Sequence, residues 1–229
     1  MIKNILFDLD DTIFDFLWSE KNALSKTLIH FNIKPEERIL SRYSEINLSQ
    51  WKLLEQGKIT RDELKIKRYI ILFDEMNIKE CSAEAAADYY ENALGTFFRF
   101  MPGAEEVLKR LSLRFRLYIV TNGTAAVQNE RIKRSGISRY TNDIFISEIT
   151  GYEKPQKEFF EKCFSTIPDF SKEETLIVGD SISSDIRGGI NAGIKTIWFN
   201  HKHEKNSTTF IPDFEISELE EIESITNKL

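Results

Sequence analysis

Apolar positions follow two rhythms along this chain, and the change from one to the other divides it. Ile2, Ile5, Leu6 and Phe7 succeed one another with little interruption, the pattern of a strand buried on both faces of a parallel sheet. After Thr12 the period lengthens. Leu17, Leu24, Leu28 and Phe31 are 7, 4 and 3 apart, so they share one face of a helix that Asn32 and Pro35 end. A second helix is predicted over 36–56, with Ile39, Leu40, Tyr43, Ile46, Trp51 and Leu54 as its apolar positions and Gly57 as its stop. Thr60 and Glu63 form a capping box for a third, with Ile66, Tyr69, Ile70 and Phe73 on its apolar face. Ser82 caps a fourth, running through Ala86, Tyr90 and Leu94 towards Phe98.

No strand pattern occurs between Thr12 and Arg116, although parallel strands usually need one crossover helix between them. The excess predicts an inserted all-helical domain over 15–99, leaving a core of 1–14 and 100–229. It departs from the end of the first strand, so it should cover that end as a cap. Beyond Pro102-Gly103 the two rhythms alternate. Helices are predicted over 104–111, 125–135, 156–164 (with Pro155 in its first turn) and 186–192, and strands over 117–120, 143–147, 175–178, 196–199 and 214–216. The fold class is therefore α/β, a doubly wound, Rossmann-like, mostly parallel sheet with an inserted helical domain.

Charge narrows the range of partners. The net charge of −6, with Lys and Arg scattered and no basic run, argues against binding a nucleic-acid polymer or an anionic membrane. No apolar stretch approaches the ~20 residues that span a bilayer, and the first residues lack the basic and apolar segments of a signal peptide. Cys81 and Cys163 are far apart in the chain, which fits a reducing, cytoplasmic location. His201 and His203 lack a third His or a Cys nearby and read as part of a solvated loop.

Chemistry gathers at the strand ends. Asp8, Asp10 and Thr12 follow the first strand, Thr121 and Asn122 the second, Lys154 the third, and Asp180 and Asp185 the fourth. Taken singly these are helix caps, turn formers and a surface lysine. Jointly they occupy one position relative to successive strands, and in open α/β sheets that edge is where ligands bind. Three acids within four residues, Asp8, Asp10 and Asp11, also repel one another, a repulsion that a divalent cation offsets.

These four clusters resemble the four motifs of the haloacid-dehalogenase-like phosphohydrolase superfamily: Asp8-Leu9-Asp10-Asp11-Thr12, Thr121-Asn122-Gly123, Lys154-Pro155, and Gly179-Asp180 with Asp185. The resemblance implies that Asp8 attacks phosphorus and carries an aspartyl phosphate, and that Asp10 protonates the leaving oxygen and then deprotonates water. By the same resemblance magnesium is held by Asp8, the backbone carbonyl of Asp10 and Asp180, with Asp185 acting through water or orienting Lys154. Thr12, Thr121, Asn122 and Lys154 are the implied phosphate-binding residues. A lysine at ~4 Å in an effective dielectric near 20 is worth roughly 4 kcal/mol to an approaching anion. Dehalogenases of the superfamily lack an acid at the position of Asp10, so its presence favours phosphate chemistry.

Residues 46–73 resemble the bacterial pyrimidine 5′-nucleotidase branch, which implies a small phosphorylated metabolite as partner, a nucleoside 5′-monophosphate above others, with Phe16, Trp51 and Tyr69 as candidates to stack on the base. A sugar phosphatase or phosphomutase of the superfamily, and a non-enzymatic aspartyl-phosphate receiver, remain as alternatives. A monomer or homodimer is expected, with the cap hinged about Asp15 and Phe100.

Overall fold

Six short apolar segments meet in one sheet: β1 (Asn4–Phe7), β2 (Arg116–Thr121), β3 (Asp143–Ile146), β4 (Thr175–Gly179), β5 (Lys195–Phe199) and β6 (Phe214–Ile216). In this computed structural model, which describes residues 1–229, their order is β3-β2-β1-β4-β5-β6 and every neighbouring pair is parallel. β1 lies at the centre with all four residues buried, and Phe7 is level with Ile119 of β2 on one side and Val178 of β4 on the other. Strand order reverses between β1 and β4, the place where α/β sheets open a crevice. Asp8 and Asp180 follow those two strands.

Between β1 and β2 the chain forms four helices: α1 (Phe16–His30), α2 (Glu37–Glu55), α3 (Arg61–Met76) and α4 (Ala83–Leu94). Their starts follow from local chemistry. Asp15 accepts from the Trp18 amide at 2.8 Å, Thr60 and Glu63 complete a capping box, and Ser82 accepts from the Ala85 amide at 3.1 Å. The four share an apolar core that includes Leu24, Leu28, Tyr43, Tyr69, Leu72 and Tyr90, and Val127 from the sheet side joins it. The sheet packs a separate cluster around Ile5, Phe7, Ile119 and Val178. The outgoing and returning segments run side by side. Asp15 donates its amide to Arg99 O and Met101 donates to Ile13 O, both at 2.8 Å.

Around the sheet lie α5 (Ala104–Leu111), α6 (Ala125–Ser135), α7 (Ser147–Thr150), α8 (Lys157–Phe164), α9 (Arg187–Ala192) and α10 (Glu221–Thr226). Four local expectations need correction. Leu17 and Ile70 are about half exposed; the buried stripes run instead through Glu20 and Leu24 on α1 and through Leu64, Arg68 and Leu72 on α3, because two charged side chains are drawn inward to partners described below. Pro155 stands outside α8, since the Asn122 side chain binds both Lys154 N (2.9 Å) and Lys154 O (2.8 Å) and keeps that segment from coiling. The helical path near Asp185 begins at Ile182, in a wide π-type turn capped by Ser181. Ser147 opens α7 and does not end a strand.

Candidate active site

Asp8 leaves β1 with its amide still donating to Val178 O at 2.9 Å, so the sheet's own hydrogen bonding aims the residue. Lys154 reaches it from the segment after α7. Its buried ammonium donates to Asp8 Oδ1 at 2.5 Å, Asp185 Oδ1 at 2.7 Å and Val120 O at 2.8 Å, which uses all three of its protons. Asp185 Oδ2 accepts from the Ser181 amide at 3.1 Å. Gly179 is required beside it: a Cβ there would lie 2.3 Å from the Asp185 carboxyl. Asp180 is seated by the Trp198 indole, which donates to its carbonyl at 2.8 Å, and by Thr12.

Asp8, Asp180 and Asp185 bring one carboxylate oxygen each within 4.8 Å of the others. Burial, with Asp185 and Asp10 adding to it against the pull of Lys154, pushes the Asp8 carboxyl up to about 8. Burial and the Asp8, Asp11 and Asp185 charges hold Asp180 well above the carboxylate range. Burial opposes the Lys154 ammonium, yet Asp185 and Asp8 outweigh it and keep the amine charged. Three acids are thus crowded around a single buried ammonium that bonds two of them, and burial and their mutual repulsion in a low-dielectric crevice raise Asp8 and Asp180. An all-oxygen donor set with excess negative charge fits a hard dication such as magnesium.

Asp10 points elsewhere. Its carboxylate is held by Arg131 through Oδ1 and by Gln128 Nε2 at 2.7 Å through Oδ2, so its side chain is not among the three clustered acids. Thr12 also departs from its expected role. Its buried hydroxyl accepts from the Asp180 amide at 3.1 Å and lies 3.5 Å from Asp180 Oδ1, which places it under the acid and away from any open phosphate cradle. Thr121 does border the crevice, its Oγ1 accepting from Gly123 N at 3.1 Å and Gln128 Nε2 at 3.0 Å.

Two cavities meet here. The outer, about 160 Å³, is lined by Asp8, Thr121, Asn122, Lys154 and Asp185. The inner, about 30 Å³, lies under the helical layer between Arg61, Arg68, Glu91, Thr124 and Arg131. Asp10, Phe16, Trp51 and Gly123 border both and form the neck. Tyr69 borders neither. It is fully buried in the cap's core against Tyr43, Phe73 and Tyr90 and has no free face for a base.

Several residues at the site escaped the sequence reading. Arg61 crosses from cap to core, donating to Asn122 O (2.6 Å), Ser147 Oγ (2.9 Å) and Glu153 Oε1 (2.7 Å). Ser183 donates to Glu55 at 2.8 Å, and Thr124 to Glu91 at 2.8 Å. Gln128 and Arg131 carried one readable signal: they stand three apart on the helix that follows Thr121-Asn122-Gly123.

Comparison with known proteins agrees with this architecture. The chain is 40% identical over 225 residues to YfnB of Bacillus subtilis (strain 168), named as a HAD-hydrolase, with 98% of this chain and 95% of that one covered. A crystal structure of YfnB bound to magnesium, described as revealing interdomain movement, superposes with a TM-score of 0.94 at 39% identity, covering 99% of each chain. Pyrimidine 5′-nucleotidase PynA of Streptococcus pneumoniae is 39% identical over 93% of this chain and 90% of its own. Pyrimidine 5′-nucleotidase YjjG of Escherichia coli is 29% identical over 98% and 97%. The profile of the haloacid dehalogenase-like hydrolases matches residues 5–199. With that match spanning most of the chain, and with the strand-end acids gathered as described, this protein belongs to the haloacid dehalogenase-like hydrolases.

Proposed function

We propose that the protein is a magnesium-dependent phosphomonoesterase acting on a small phosphorylated metabolite, a pyrimidine nucleoside 5′-monophosphate above others. The observation that carries this reading is the approach of Lys154, Asp180 and Asp185 to Asp8 beside a neck bordered by Asp10. A monoester laid through that neck has its phosphoryl group at Asp8 and its leaving oxygen at Asp10.

An Asp8 oxygen attacks phosphorus, the bond from phosphorus to the ester oxygen breaks, and that oxygen leaves with the proton of the Asp10 carboxyl. Water then attacks the aspartyl phosphate and gives a proton to Asp10, and inorganic phosphate departs from a restored Asp8. Lys154 neutralises the incoming phosphoryl charge, and the Thr121 hydroxyl orients one of its oxygens. Magnesium, held by Asp8, Asp180 and the backbone carbonyl of Asp10 with Asp185 behind them, would supply charge neutralisation and a fixed phosphoryl orientation. An acid at position 10 suits an alkoxide leaving group, which needs a proton, and is superfluous for a halide.

Phe16 and Trp51 at the neck, together with the relatives that are pyrimidine 5′-nucleotidases, support the nucleotide as substrate. In the present arrangement the inner cavity has room for about one water, so a nucleoside enters only when the cap moves. The test is phosphate release from a panel of esters with and without magnesium. Pyrimidine nucleoside monophosphates should lead the panel and chelation should abolish release. Sugar phosphates leading, with nucleotides near background, would remove the nucleotidase reading, and absence of steady turnover on every ester would leave a phosphate receiver.

A further inference from the structure

Asp10 must present its carboxyl to the leaving oxygen in one orientation, and nothing in its own loop holds it there. The holding groups come from α6. Gln128 Nε2 donates to Asp10 Oδ2 at 2.7 Å and to Thr121 Oγ1 at 3.0 Å, so one amide spans the acid and the phosphate side of the crevice. Arg131, fully buried, binds Asp10 Oδ1 and donates to Gln128 Oε1 at 3.0 Å. Its Nε donates to Phe97 O at 3.1 Å, on the segment returning from the cap, and its guanidinium lies 5.2 Å from the Phe14 ring centre beside the outgoing segment. Its Nη2 is buried without a partner, and the residue borders the inner cavity where a leaving group would lie. Burying a cation with one nitrogen unsatisfied is costly, and it is placed where the acid meets both cap connections.

Gly123 makes this arrangement possible. A Cβ there would sit 2.0 Å from Gln128 Nε2 and 2.6 Å from its amide carbon, so any larger residue displaces the amide from Asp10.

We propose that Gln128 and Arg131 are the positioning residues of Asp10, holding its carboxyl at the neck and tying its orientation to the cap's return through Phe97, with Gly123 leaving the space for Gln128. The proposal rests on the reading of Asp10 as proton donor to the leaving oxygen. It concerns orientation: the proton still passes from Asp10 to that oxygen.

The test is leaving-group sensitivity. For Gln128→Leu, Arg131→Lys, Gly123→Ala and Asp10→Asn, kcat/KM is measured with 4-nitrophenyl phosphate, whose phenolate departs unaided, and with the fastest alkyl ester of the panel. General acid catalysis contributes about 10²–10⁴-fold. Asp10→Asn should lose that on the alkyl ester and much less on the aryl ester. Gln128→Leu and Gly123→Ala should show the same selectivity, the alkyl loss exceeding the aryl loss by at least about tenfold, and Arg131→Lys, which keeps the charge, should fall between them and the parent. Gln128→Leu preserves side-chain volume, so the test stands even where an Arg131 variant fails to fold. Equal losses on both esters in Gln128→Leu and Arg131→Lys, with Asp10→Asn remaining selective, would assign these residues to the scaffold alone and overturn the proposal. An unselective Asp10→Asn would overturn the acid reading itself, and this inference with it.

Discussion

Two buried charge clusters in this molecule invite comparison, one inside the cap and one at the sheet edge. In the cap, Arg68 donates to Glu91 at 2.5 Å and to Asn47 Oδ1 at 3.0 Å, and its guanidinium lies 4.8 Å from the Tyr90 ring centre, with Tyr43 and Tyr69 close by. Asn47 donates onward to Glu20 at 2.6 Å; burial raises the Glu20 carboxyl, favouring its neutral form. The Arg68 cation has its anion in Glu91, whose other oxygen accepts from Thr124 of the sheet domain at 2.8 Å. At the sheet edge Asp8 and Asp185 share the Lys154 ammonium, and the Asp180 carboxyl lies beside them without a bond to it. Both clusters are desolvated, but only the second crowds three acids together, so that Asp8 and Asp180 are pushed towards their neutral forms until a further cation is supplied. Removing the partner of a buried paired charge is strongly destabilising, whereas crowded acids at a strand end are relieved by a cation from outside.

The contrast can be broken at Asp8. Asp8→Asn should lower phosphate release by more than about 10³-fold, because the covalent route is lost, while calorimetry should find magnesium binding weakened but measurable. Next come matched deletions. Arg68→Met and Lys154→Met each leave buried anions without their cation and should each cost about 3–5 kcal/mol in denaturant unfolding without metal. Magnesium should recover part of the loss for Lys154→Met and none for Arg68→Met. Equal recovery would erase the distinction.

A further effect is read from pH. Asp8 holds its proton up to about 8 in the folded state, against an ordinary 3.8, so over that interval the folded chain binds more protons than the unfolded one. Stability from this group is complete below about 4 and is lost as pH rises through about 8. Metal-free protein should therefore show a falling unfolding free energy across that window. Magnesium at 100 times its Kd should add about 2.7 kcal/mol at the alkaline end. The smallest effect separates two aromatic residues. Trp51→Ala should raise KM for a nucleotide by a factor corresponding to about 1–3 kcal/mol with little change in Tm, whereas Tyr69→Ala should lower Tm and leave KM unmoved.

The cap's four helices and most of the alternating elements after it were readable because capping residues and apolar periodicity act within one turn of chain. Ile70 and Leu17 were misread for a nonlocal reason: a buried ion pair turned α3 so that Arg68 faces inward, and Asn47 drew Glu20 in on α1. Tyr69 and Trp51 are both stacking candidates by resemblance to the nucleotidase branch, while their helical spacing suits a core. Periodicity tells which residues share a face, but packing against other helices decides whether that face meets the core or the crevice.

By itself the sequence determined the strand-end chemistry. Asp8, Thr121 and Asp180 stand at the ends of apolar runs, and a parallel sheet necessarily carries such residues to one edge, with Lys154 in the segment beyond the next strand. Tertiary structure alone decided that Thr12 braces Asp180, that Arg61 bridges cap and core, and that Gln128 and Arg131 grip Asp10. These contacts join residues up to 168 positions apart, and their energies depend on burial and partner geometry, which exist only once the helices have closed over the sheet.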